Sequence, residues 1–250
     1  MSEITWLEQA VESGEVRFRV GRAASGALVV EWPGDARLFQ DGDGWRFETE
    51  PHLSSERAAK LARGPARAVQ RYLAGEMSLH ASAIEIGGRA LVFLGAGGAG
   101  KSTIAAKLCD QCGATLLADD VLAVDRTNDG LFALPTESAH WLEVPGQESK
   151  RARAAQRIAA IPTVVAELVL LDVNESPADA QPTLVKGRAA MLALSQAHIT
   201  LPIATPEQRR RDFEWLAKVC ESVKMTRIAR RCAGSPDDVV SEALRLLEKT

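Results

Sequence analysis

This 250-residue chain lacks a surplus of positive charge: 30 Lys and Arg face 33 Asp and Glu, for a net charge of -3 and a pI near 5.9. That balance excludes a nucleic-acid protein held by bulk electrostatics. The chain also lacks an apolar run long enough to span a membrane; its longest, around residues 164–173, is strand-sized. Its first residues, Met1-Ser2-Glu3-Ile4-Thr5-Trp6, show no basic leader followed by an apolar core, so no secretory signal is expected. Aromatics are sparse, at 5%. Hydrophobic content of 46% and charged content of 25% are ordinary for a soluble globular protein. Together these features predict a cytoplasmic protein with no membrane or nucleic-acid partner, built as one large domain with or without a small appendage.

Cysteine is also scarce. Cys109 and Cys112 form a lone C-x-x-C, with Cys220 and Cys232 far downstream. A redox pair belongs at a helix N-terminus, where the dipole lowers thiol pKa values, whereas this pair falls near a predicted helix C-terminus. Cys220 and Cys232 are not spaced as a zinc knuckle. Reduced, packed cysteines are the expectation.

Turn residues and periodicity divide the chain near residue 76. Residues 1–76 read as a small β-rich module with a helical connector. Strand candidates are 16–20, 27–32, 36–39 and 45–48, with Asp41-Gly42-Asp43-Gly44 as a hairpin turn. That turn lacks the later ligands of a calcium loop. Ser54 or Ser55 caps a helical segment to about residue 74, broken at Gly64-Pro65. Residues 77–250 form the second predicted domain. A hairpin, 83–86 and 89–94 around Gly87-Gly88, leads into a helix ending at Gly113. A strand over 114–118 ends in Asp119-Asp120 and continues through 121–124, and Asn128-Asp129-Gly130 turns the chain back. A basic stretch over 143–157 precedes a strand over 164–173 and a loop over 174–181. Helices are expected at 188–197, 207–222 and 236–249, and a last strand over 224–230.

The chemistry concentrates at residues 95–103, Gly95-Ala96-Gly97-Gly98-Ala99-Gly100-Lys101-Ser102-Thr103, a full G-x-x-x-x-G-K-[ST] phosphate loop between an apolar strand and a helix. Its glycines let successive N–H groups turn toward phosphate oxygens. Lys101 can reach the β- and γ-phosphates of ATP, and Ser102 can ligate Mg²⁺. The helix start adds an anion site. Such a loop needs a carboxylate at the end of a neighbouring strand, and Asp119-Asp120 and Asp172 compete for that place. The paired acids are favoured, because one can organise metal while the other accepts a hydroxyl proton; Asp172 opens a plain loop. His140, beside Trp141, is a candidate to line a substrate entrance, with packing the favoured reading, and His52 and His198 are read as structural. Arg151, Arg153 and Arg157 with Lys150, or else Arg188, are the candidate cations for transition-state charge, although a solvated helical face is the favoured reading of the first group.

Residues 79–95, Gly100 to Thr103 and 117–121 resemble the catalytic core of HPr kinase/phosphorylase. A His opening the hairpin, the glycine turn, the phosphate loop and the Ala-Asp-Asp element occur in that family's order. The resemblance implies an α/β fold related to phosphoenolpyruvate carboxykinase, a P-loop kinase core with a mixed central sheet flanked by helices. It further implies ATP- and Mg²⁺-dependent phosphorylation of a serine hydroxyl. By position, Asp119 is the catalytic carboxylate, Asp120 its partner at the metal, and His80 borders the phosphate site beside Lys101. A homo-oligomer is compatible with the resemblance. The family's Gly/Arg-rich segment (Arg-Gly-Leu-Gly-like) has no equivalent between Thr127 and Val173, so the likeness does not extend to phosphorylase activity or to HPr as acceptor. The chain is more similar to compact HPr-kinase-like proteins, some associated with modification of ribosomally made peptides. The acceptor class is a hydroxyl on a protein, peptide or small molecule. Two rivals stand beside the kinase: a nucleotide-gated regulator with little or no transfer, and a metabolite kinase or carboxykinase-like enzyme.

Overall fold

Alternating apolar residues and short turns give the first part of the chain a meander. The computed structural model describes residues 3–12, 15–42, 44–136, 139–142, 151–174, 181–231 and 236–248. Strands β1 (Ile4–Glu12), β2 (Glu15–Ala23), β3 (Leu28–Trp32), β4 (Ala36–Asp41) and β5 (Gly44–Thr49) form one antiparallel sheet in chain order. β1 escapes sequence reading because its pairing with β2 slips after Trp6 and again after Ala10, which breaks the period-2 pattern. Helices α1 (Ser55–Arg63) and α2 (Pro65–Leu73) follow. Ser54 caps α1 by accepting from the Arg57 amide, and Pro65 occupies the first turn of α2, where its missing N–H costs nothing. Residues 1–74 and 200–209 cluster as one compact unit. Val20, Val30, Leu38, Leu61, Val69, Tyr72 and Leu201 are in its core.

The second unit comprises residues 75–199 and 210–250. In chain order it contains β6 (Met77–Leu79), β7 (Ser82–Ile86), β8 (Arg89–Leu94), α3 (Lys101–Cys112), β9 (Thr115–Ala118), β10 (Leu122–Thr127), β11 (Gly130–Leu134), β12 (Ala139–Leu142), β13 (Arg151–Ala154), β14 (Thr163–Asn174), β15 (Thr183–Val185) and α4 (Gly187–Ala197). Then come α5 (Pro206–Ser222, divided between the units after Arg209), β16 (Met225–Arg231) and α6 (Pro236–Glu248). The main sheet runs β9-β7-β8-β14-β16-β15, with β8, β14 and β16 parallel. β8 and most of β14 read as near-continuous apolar runs because both faces are buried, whereas β16 alternates, with Arg227 exposed. Ala190, Leu194, Leu216 and Val219 pack on one face, from α4 and α5. Ile104, Leu108, Val240 and Leu246 pack on the other, from α3 and α6. A second branch, β6-β10-β11, joins at the start of β14 through Phe132–Val164 and Ala133–Thr163. The class is mixed α/β with a mixed sheet and a separate antiparallel sheet. No helix among the described residues is long and apolar enough to cross a membrane.

Two expectations need correction. Residues 121–124 do not continue the strand before them: the backbone turns at Asp120, with φ 85, and β10 belongs to the other branch, between β6 and β11. Residues 151–154 are a strand paired with β12, not part of a helical face. The hairpin position Asp43 and most of the loop expected over 174–181 lie outside the described residues, as does Cys232. Cys109 is buried, and burial pushes its thiol pKa up to about 11, as expected of a packed rather than a reactive cysteine.

Candidate functional site

Register brings the phosphate loop and the paired acids to one end of the main sheet. Ser82 pairs with Phe93, while Ala83 pairs with both Val92 and Ala118. β8 and β9 therefore share a direction, each antiparallel to the β7 between them, and both end at the same edge. Two strand spacings separate them, about 10 Å in all. The glycine loop leaves the end of β8, and Asp119 and Asp120 follow the end of β9.

Within the loop, Gly95 has φ 143, and a Cβ there would lie 2.6 Å from the Leu171 carbonyl oxygen. Only glycine fits this position. A Cβ on Gly97 or Gly98 would meet nothing within 4 Å, so this part of the arch faces open space. Ala99 is buried, and its amide donates to the Ala96 carbonyl at 3.1 Å. α3 starts from Gly100, which supplies no side-chain cap. That end of the helix carries the positive pole of the helix dipole. Lys101 is buried, its Nζ donating to the carbonyls of Gly95 (2.8 Å) and Ala96 (3.1 Å). Ser102 is buried beside it and Thr103 is exposed. A helix start with no capping side chain, a lysine and open space in front of two glycines fit a phosphate group. No cluster of three or more His, Cys, Asp or Glu able to hold a metal exists among the described residues. A metal beside Ser102 would take phosphate oxygens and water as its remaining ligands.

The acidic corner is built by two strand crossings. His80 and Ala81 carry the chain from β6 to β7, and residues 119–121 carry it back from β9 to β10. The corners meet: His80 Nδ1 is 2.9 Å from the Asp120 carbonyl oxygen, which fixes Nδ1 as the donor, and 3.4 Å from Asp120 Oδ1. Thr136 braces the turn, its amide donating to the Leu117 carbonyl at 2.9 Å and its hydroxyl to the Val121 carbonyl at 2.8 Å. Asp119 is 0% exposed. Its Oδ1 accepts from the Ser82 hydroxyl at 2.5 Å and its Oδ2 from the Trp141 amide at 2.6 Å. The Asp120 side chain keeps 20% of its surface in solvent. Asp120 is the one non-glycine residue with positive φ among the described residues, a conformation persisting only where its surroundings impose it. Of the two acids, Asp120 is the one a ligand can touch.

The remaining candidates lie elsewhere. Arg153 pairs with Asp110 at 2.8 Å, and Arg157 donates to the Gly113 carbonyl at 3.1 Å. Both hold the C-terminal end of α3; Asp110 lies nine residues beyond Lys101, about 13 Å along the axis. Arg151 and Arg188 are exposed, and Lys150 lies outside the described residues. Asp172 points to the face opposite Leu171, away from α3, and pairs with Arg227 at 3.7 Å. His140 is 1% exposed, and neither ring nitrogen has a hydrogen-bond partner among the described residues. Burial lowers its pKa, opposed by the charge of Asp119. His52 is exposed. His198 packs near Trp215, ring centroids 6.1 Å apart, and burial lowers its pKa too. Sequence reasoning did not anticipate Ser82 or the Trp141 amide as supports of Asp119. The one sequence sign of Ser82 is a hydroxyl at an inward position of an apolar strand.

No family model and no curated protein matches the chain. Among solved structures, the chain is similar to the HPr(Ser) kinase/phosphatase from Coxiella burnetii, at 15% identity and a TM-score of 0.40, covering 69% of this chain and 99% of that one. The site's own geometry, rather than that likeness, carries the functional reading.

Proposed function

We propose that this chain is an ATP- and Mg²⁺-dependent kinase that transfers the γ-phosphate to a serine or other hydroxyl of a protein, peptide or small molecule. The supporting observation is the shared sheet edge: a glycine arch that opens a helix without a capping side chain and a partly exposed, backbone-strained aspartate emerge from strands separated only by β7. In this reading the amides of residues 97–101 hold the phosphates, and Lys101 Nζ exchanges two loop carbonyls for phosphate oxygens. Ser102 would hold a Mg²⁺ ion, which would supply charge neutralisation at the phosphates. Asp120 accepts the acceptor's proton as its oxygen bonds to the γ-phosphorus, while the bond to the bridging oxygen breaks and ADP leaves with the electron pair. Asp119, locked by Ser82 and Trp141, is the positioning residue for Asp120, and His80 fixes the Asp120 carbonyl. Assigning the proton to Asp120 rather than Asp119 follows from burial, since both Asp119 oxygens are engaged and out of reach.

Calorimetric titration with ATP, with and without Mg²⁺, followed by incubation with γ-labelled ATP and serine-containing peptides or cell extract, tests this reading. Mg²⁺-dependent binding and a labelled acceptor are expected. A chain that binds no nucleotide overturns it; a chain that binds without hydrolysis or transfer is the regulator instead.

A further inference from the structure

The two edges of the small antiparallel sheet differ. β1 is an edge interrupted by two register slips, a common guard against strand addition. β5 pairs with β4 without a slip from Asp41–Gly44 to Ala36–Thr49, contains neither Pro nor Lys, and has no second strand partner among the described residues. Its open side can be assigned residue by residue. Only two positions separate Asp41 from Gly44, so these two must exchange backbone hydrogen bonds directly. Hydrogen-bonded pairs alternate along an antiparallel ladder, which makes Phe39–Arg46 and Arg37–Glu48 the inward pairs. The backbone groups of Trp45, Phe47 and Thr49 therefore point away from β4. The Glu50 amide donating to the Asp35 carbonyl at 2.8 Å continues the same alternation.

We propose that β5 pairs antiparallel with β5 of a second copy of this chain, on a two-fold axis through Phe47. That register opposes Phe47 to the partner's Phe47 and Trp45 to the partner's Thr49, so every outward backbone group finds a mate. Arg46 then faces the partner's Glu48 in the non-hydrogen-bonded positions, where Cα atoms approach to about 4.5 Å and side chains interact most. Sliding one step either way centres the axis on Arg46 or on Glu48 and sets like charges opposite each other. Charge thus selects one register, and the contact is closed and self-complementary. Within one chain Arg46 and Glu48 already pair, but both are well exposed, at 62% and 47%, and contribute little there. The half-buried rings of Trp45 and Phe47 lie on the core side of the strand and gain cover from the second copy.

Light scattering on the full chain across a concentration series tests this pairing. Wild type should approach twice the 26.9 kDa chain mass as concentration rises. Arg46→Glu and Glu48→Arg should each stay monomeric, and the double swap should restore the dimer. Thr49→Pro removes an outward-facing donor without touching the β4 ladder, and should also stay monomeric with an unchanged circular dichroism spectrum. A wild-type monomer at all concentrations overturns the proposal. So does a dimer that survives Arg46→Glu and Thr49→Pro.

Discussion

Two of the buried carboxylates, Glu31 of the small unit and Asp119 of the large one, are held in opposite ways. In the small unit Glu31 lies between Arg19 and Arg37, its cross-strand neighbours on β2 and β4, with Arg37 Nε donating at 2.7 Å. Two guanidinium groups balance its charge and the surrounding strands are regular. In the large unit Asp119 is held by a hydroxyl and an amide, both neutral, next to a residue with φ 85. Its negative charge is not balanced by either donor. Burial of an acid alone therefore does not mark a site. A buried acid matched by cations is scaffold; one held by neutral donors, beside backbone strain and a helix start without a side-chain cap, positions an exposed neighbour, here Asp120, as the carboxylate a ligand can reach.

The comparison breaks most sharply at the phosphate loop. Lys101→Met should lower transfer by roughly a thousandfold, measured as labelled acceptor, while the melting temperature changes little. Gly95→Ala should disrupt the loop itself, because the new Cβ meets the Leu171 carbonyl at 2.6 Å; nucleotide binding by calorimetry should disappear. Next come the carboxylates as structural elements. Asp119→Asn turns an amide NH₂ toward one of two buried donors and should cost about 2 kcal/mol, read from urea unfolding. Glu31→Gln should destabilise the small unit by about 1 kcal/mol, since its arginines are partly exposed. It should leave nucleotide affinity unchanged, and an affinity change there would erase the distinction between scaffold and site.

The smallest effect concerns pH. Burial holds the His140 pKa below its ordinary 6.5, so the unfolded chain takes up the proton first. Stability is therefore full above about pH 6.5 and declines as pH falls toward the lowered folded value. His140→Leu should flatten part of that decline in urea unfolding at stepped pH. A residual slope is expected because His198 shifts in the same direction.

Local chemistry made some of this legible and long-range pairing hid the rest. The hairpin at Gly87-Gly88, the α3 stop at Gly113 and the α1–α2 break at Gly64-Pro65 follow from turn and cap residues within a few positions. β6, β12 and β15 are three or four residues long and exist only through distant partners, so no periodicity announces them. The turn at Asp120 was invisible because a non-glycine residue with positive φ is imposed by its surroundings, here His80 and the braces from Thr136. In the same way, the sequence presents two adjacent acids as equivalent, and only packing separates the buried one from the reachable one.

The most direct test of the central claim is single-turnover transfer from labelled ATP by Asp120→Asn. Asparagine tolerates the positive φ at this position, so the variant removes the charge and little else. The account predicts wild-type affinity for Mg²⁺-ATP with transfer reduced by roughly a hundredfold or more. Full transfer by this variant would contradict it.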